Sequence, residues 1–198
     1  MDLDFRALWD RALPYPQFVR ESKNNCELWT GVYRLARIPE WALADARASG
    51  EGRRLLVIAE DWCGDASNTV PYLAKLVDES GGLELRVLRR DEHPEVMDRY
   101  LTGTARAIPI VIVLDEAFHE MGHWGPRPAE LQRWLLEVRQ TTPQDQLYPQ
   151  ARRWYAKDKG QSTMREVLAL VRNQPSAFGS RPEAVEADSR QLMADGVQ

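Results

Sequence analysis

Apolar positions along the first fifty residues follow helical spacing. Phe5, Leu8, Trp9 and Ala12 stand at i, i+3, i+4, i+7, and Pro14 and Pro16 are expected to stop that helix. A second helix carries Cys26, Trp29 and Tyr33 on one side. Pro39 suits the first turn of a third helix through Trp41 and Ala44, which Gly50 and Gly52 break. The pattern then changes. Leu55-Leu56-Val57-Ile58-Ala59 is a continuous apolar run of strand length, which predicts a strand buried on both faces.

Directly after that run come Trp62-Cys63-Gly64-Asp65 and a helical pattern with Val70, Leu73 and Val77 on one face, closed by Ser80-Gly81-Gly82. Leu83, Leu85 and Val87 alternate with charged residues as a strand. Pro94 opens a short helix through Val96, Met97 and Tyr100, which Gly103 closes. Ile108 to Leu114 is the most strand-like stretch, with Pro109 near its head, where a missing N–H does least harm to a ladder. Phe118 to Trp124 predict a further strand, and Leu131, Trp134, Leu135 and Val138 an amphipathic helix. Two more helices are expected to pack on the core, one around Leu147, Ala151, Trp154 and Tyr155, one from Met164 through Val171. The organisation expected is a helical extension over 1–50, an α/β core over 51–140, helices over 141–174 and a loosely ordered or weakly helical tail over 175–198.

Composition narrows the function classes. A chain of 198 residues with 43% apolar content can form one well-cored domain. The formal charge of −4 arises from 30 acidic and 26 basic residues scattered without a basic block, so nucleic acid is not an expected partner. The start, Met1-Asp2-Leu3-Asp4, is acidic where a secretory signal is basic, and no run approaches the roughly 18 to 20 apolar residues of a membrane span. Two cysteines, Cys26 and Cys63, are too few for a disulfide framework. A reducing, cytoplasmic setting away from membranes follows as the expectation.

Candidate chemistry centres on Cys63. The order strand, Trp62-Cys63-Gly64-Asp65, helix puts a thiol at a helix N-terminus, where free N–H groups and the macrodipole favour the thiolate. Glu60, Asp61 and Asp65 oppose a second negative charge there. The sequence leaves the sign of the net effect open. Trp62-Cys63-Gly64 after a buried strand resembles the active-site turn of the thioredoxin family, whose pattern is Trp-Cys-Gly-Pro-Cys. Pro71, eight residues past Cys63, matches the family's helix-kinking proline, and Ile108-Pro109, with its proline 46 residues past Cys63, resembles its cis-proline. His93-Pro94, Tyr100 and Arg106-Ala107-Ile108-Pro109 also resemble the family's central helix and following strand. The likeness spans roughly residues 53 to 139 and implies a central mixed sheet flanked by helices, with extra helices at both ends.

The chain departs from that pattern at two places. Ala66 stands where the family has its second cysteine, and Val57 replaces a buried carboxylate that assists proton transfer. The resemblance therefore implies a redox protein of monothiol type. Cys63 is the nucleophile, and its mixed disulfides with a disulfide or thiol protein are resolved by an external thiol, as in monothiol glutaredoxins and bacilliredoxins, or by Cys26. Asp65 and Asp61 are candidate proton acceptors, with first-turn capping and a solvated turn as their plainer roles. Trp62, Gly64, Ala66, Ile108 and Pro109 shape the groove. Arg106 either offsets the acids or lies at the surface. Cys26, on one helical face with Trp29 and Tyr33, otherwise reads as a small buried core residue. The competing reading is a redox-inactive thioredoxin-fold module that binds a peptide or protein in the same groove.

His119-Glu120-Met121-Gly122-His123 spells the H-E-x-x-H pattern of zinc hydrolases, a distant third reading. That chemistry needs a helix, whereas Gly122, Gly125 and Pro126 crowd a segment expected to be a strand. In a strand His119 and His123 share a face and Glu120 points away. No metal and no cofactor is expected, and oligomeric state is not encoded in these patterns.

Overall fold

The computed structural model describes residues 3–172. The expectation for 175–198 lies outside them. Helix α1 (Phe5–Arg11) is capped by the Asp4 carboxylate, which accepts from Ala7 N at 3.0 Å. Helix α1 ends at Arg11, ahead of the two prolines expected to stop it, and the chain turns helical again at once. Pro14 belongs to a two-residue strand, β1 (Leu13–Pro14), and Pro16 sits in the first turn of α2 (Tyr15–Glu21), where its missing N–H costs nothing.

Helices α3 (Cys26–Leu35) and α4 (Glu40–Ser49) follow, with Pro39 at the N-cap position just before the latter rather than inside its first turn. Strand β2 (Arg53–Ala59) leads into α5 (Gly64–Ser80), and β3 (Leu83–Arg89) runs through a 3-10 turn at Arg90–Glu92 into α6 (Pro94–Met97). That helix ends short of Tyr100. Strands β4 (Ile110–Leu114) and β5 (Glu120–Trp124) precede α7 (Ala129–Val138), α8 (Gln144–Asp158) and α9 (Gln161–Val171).

The five strands form one mixed sheet in the order β1-β3-β2-β4-β5, with β2 parallel to β3 and the other pairs antiparallel. Strand β2 lies at its centre, flanked by β3 and β4. Leu55 through Ala59 are fully buried, which explains why their pattern carries no polar alternation. Helix α5 packs on β3 and against α3, α4 and α9, and α9 packs on β4 and β5. The N-terminal helices join the same core: Phe18 and Trp29 are fully buried, with ring centroids 5.1 Å apart.

One packing expectation is corrected. Helix α9 enters the main core through Met164, Val167, Leu168 and Val171, but α8 does not. Ala151 and Tyr155 of α8 form a separate small cluster with Leu131 of α7, edged by Trp134, Leu135 and Trp154. Pairing with α7 gives α8 a partner for its apolar stripe without a place on the sheet.

Candidate active site at the start of helix α5

The buried strand β2 carries the chain into a turn closed by Cys63 N donating to Glu60 O at 3.1 Å. Cys63 is then the N-cap of α5, and its Sγ accepts from Ala66 N at 3.4 Å. Sγ also donates to the carbonyl of Ile108 at 3.3 Å, ahead of an Ile108–Pro109 bond that is cis. Two segments 45 residues apart thus meet at one sulfur atom. The residue is 7% exposed, and Ala66 behind it is fully buried.

Burial decides the charge state that local sequence left open. Desolvation is the largest influence on the Cys63 thiol and lifts its pKa to about 11, with the Asp65 carboxylate adding to the rise. The Ala66 and Asp65 N–H groups and the Arg127 guanidinium pull the other way and are outweighed. At neutral pH the thiol is protonated, as its donation to Ile108 requires.

Asp65 is neither a first-turn cap nor bonded to the sulfur by its side chain. Its carboxylate is 2.5 Å from Arg127 Nη2 and accepts from Tyr155 Oη at 2.8 Å. Arg127 comes from the segment between β5 and α7 and also donates to Gln132 Oε1 at 3.1 Å, while Tyr155 comes from α8. Burial first, then the Asp65 charge, holds the Tyr155 phenol well above its ordinary value, so it is a permanent donor. Neither partner was found from the sequence. The available signal was an acid beside a buried run, which demands a cation, but 26 basic residues competed for that role.

Asp61 is not a solvated turn residue. It is 6% exposed, and its carboxylate accepts from Lys23 N at 2.6 Å, Asn24 N at 3.1 Å and Asn24 Nδ2 at 3.0 Å. Burial alone would raise its pKa, but these bonds bring it below the ordinary carboxylate value. Its carbonyl receives Trp29 Nε1 at 3.0 Å and Asn25 Nδ2 at 3.2 Å. Asp61 therefore anchors the α2–α3 connection to the Cys63 turn.

Trp62 is 45% exposed, and the Arg90 guanidinium lies 4.7 Å from its ring centroid. Arg90 Nη1 donates to Arg106 O at 3.1 Å and so ties Trp62 to the segment leading into Pro109. Arg106 itself faces Asp98 at 2.7 Å, half exposed, the surface role of the two expected. Gly64 opens α5 with open space around it. Cys26 is only partly buried, at the first turn of α3, and donates to Ser22 O at 3.1 Å, which corrects its reading as a buried core residue. Both thiols are free.

The H-E-x-x-H letters fall on a bulged strand. Leu114 pairs with Glu120 and Val113 with Gly122, so Met121 is an extra residue. That bulge overturns the expected alternation: Glu120 shares a face with His123 and its Oε1 lies 3.0 Å from Nδ1, while Tyr100 Oη donates to Oε2 at 2.7 Å. His119 lies before the strand, 79% exposed, against Asp115. Among the described residues no group of three or more His, Cys, Asp or Glu side chains is arranged to hold a metal ion, and no helix is long and apolar enough to cross a membrane.

Solved structures share this architecture. A protein of unknown function from Pseudomonas aeruginosa superposes with a TM-score of 0.71 at 20% identity, covering 86% of this chain and 98% of that one. An HIV epitope-scaffold protein does so with a TM-score of 0.67 at 18% identity, covering 85% and 98%. At those identities the likeness is one of fold. No curated protein matches the chain. A family model described as Thioredoxin matches residues 12–145, which extends the likeness well beyond 53–139 and brings helices α2, α3 and α4 inside it. By that match, with a mixed sheet and a cysteine turn in the corresponding order, the chain belongs to the thioredoxin family.

Proposed function

We propose that this thioredoxin-type protein is a thiol–disulfide redox protein with Cys63 as its single nucleophile. The observation that supports the reading is the seat of Sγ, between the Ala66 N–H at the head of α5 and the Ile108 carbonyl beside Pro109. Once the proton leaves to solvent, the thiolate meets N–H groups at a helix N-terminus, which favour it together with the Arg127 guanidinium. It attacks one sulfur of a disulfide; a new S–S bond to Cys63 forms, the old one breaks, and the leaving thiolate takes up a proton. With Ala66 in place of a second thiol, an external thiol attacks the substrate sulfur of the mixed disulfide and returns Cys63 as a thiol. A reducing, cytoplasmic compartment would supply that thiol. Because burial keeps most of Cys63 protonated, the reaction is slow at neutral pH and accelerates with alkalinity.

A second reading is favoured by the same burial: a redox-inactive module that binds a peptide or protein beside Trp62 and Pro109, with Cys63 serving as N-cap. Incubation with glutathione disulfide, followed by intact-mass measurement, separates the two. The redox reading expects one glutathione adduct that disappears in Cys63→Ser, persists in Cys26→Ser and is released by excess thiol. Absence of any adduct on the unaltered protein overturns it in favour of the binding module.

A further inference from the structure

Helices α7 and α8 pair away from the sheet, and between them and the head of α5 lies a cavity of about 220 Å³. Its apolar side comes from Leu135 of α7 and Leu147 and Ala151 of α8, and its polar side includes two guanidinium groups, Arg127 and Arg139. The carboxylate on its wall, Asp65, is already engaged by Arg127 and Tyr155. Two cations against one anion leave the cavity net positive, and Arg139 has no ion pair among the described residues. Arg127 also keeps a buried N–H, at Nε, without an acceptor. A buried donor left unpaired is costly and uncommon in native proteins, so Arg127 keeps an unmet demand for an acceptor beside the cavity.

We propose that this cavity binds a small carboxylate with an apolar body. The volume lies below the roughly 300–1,000 Å³ of drug-sized sites, so it suits a compact ligand rather than a large cofactor. The carboxylate pairs with the Arg139 guanidinium, whose planar donors match it in bidentate fashion, and the hydrocarbon portion takes the place of water against Leu135 and Leu147. Asp65 does not repel such a ligand, because its own charge is compensated by Arg127. Neither the cavity nor its charge depends on Cys63 reacting, so the site stands or falls separately from the redox reading.

Isothermal titration of the full chain under reducing conditions with hexanoate, 1-hexanol and hexylamine tests it. Hexanoate is expected to bind saturably at one site, about tenfold or more tighter than either the neutral or the cationic probe. Arg139→Gln should bring hexanoate down to the level of hexanol, and Leu136→Glu, at a half-exposed rim position, should weaken hexanoate while leaving hexanol bound. Circular dichroism checks that both variants fold, and the comparison of three probes on the unaltered chain needs no variant. Equal binding of hexanoate and hexanol, or no saturable hexanoate binding at millimolar concentration, overturns the proposal.

Discussion

Tyr155 Oη donates to Asp65 Oδ1 at 2.8 Å, joining α8 to the first turn of α5 across a separation of 90 residues. With Arg127 on the other oxygen, this bond fixes a carboxylate next to the cysteine turn and sets part of the field at Sγ. Changes at Asp65 should therefore be read at the sulfur.

Asp65→Asn removes a charge that raises the Cys63 thiol and leaves Arg127, which lowers it. The alkylation rate with iodoacetamide at neutral pH should rise about threefold to tenfold, since rate follows the thiolate fraction. An unchanged or slower rate would show that the carboxylate does not act on the sulfur.

In the unaltered protein the alkylation rate should climb with pH toward a midpoint of about 11. Against free cysteine, with a pKa near 8.5, that places the thiolate fraction at neutral pH lower by roughly 300-fold. A midpoint below that of free cysteine would mean that the helix terminus outweighs burial.

Gly125 precedes Pro126 with φ of 129°, and a Cβ there would stand 2.1 Å from Pro109 O and 3.2 Å from Ile110 Cα. Gly125→Ala must displace the backbone beside Pro109 or adopt a conformation that L-residues avoid. A loss of about 1–3 kcal/mol in urea unfolding is expected, together with an altered Cys63 alkylation rate.

Asp61 has a folded pKa below its ordinary value, because burial is overcome by the Lys23 and Asn24 donors. Its stabilisation is then fully present above the unfolded pKa of about 3.9 and disappears as pH falls through the lower folded value. Asp61→Asn should cost about 1–3 kcal/mol near neutrality and much less at the acid end. Urea unfolding across pH measures this, and a cost independent of pH would contradict it.

Much of this was legible in the chain order. The unbroken apolar run Leu55–Ala59 is what a central strand with no solvent face requires, and the break at Trp62-Cys63-Gly64 places the thiol at a helix start. Local patterning did not reveal α2, since Pro16 reads equally as a helix stop and as a first-turn residue, and only the pairing of β1 with β3 selects the second. The bulge at Met121, which brings Glu120 and His123 to one face, is likewise set by registry with β4 rather than by the letters of that segment.

The sequence by itself determined the family, most elements of the core and the placing of Cys63 at a helix start, because periodicity and motif spacing are properties of neighbouring residues. Tertiary structure alone decided the state of that cysteine, the partners of Asp65 and Asp61, and the pairing of α7 with α8. Desolvation and charge pairing are sums over atoms delivered by distant segments, and Ile108, Arg127 and Tyr155 reach the turn only once the sheet and its outer helices are assembled.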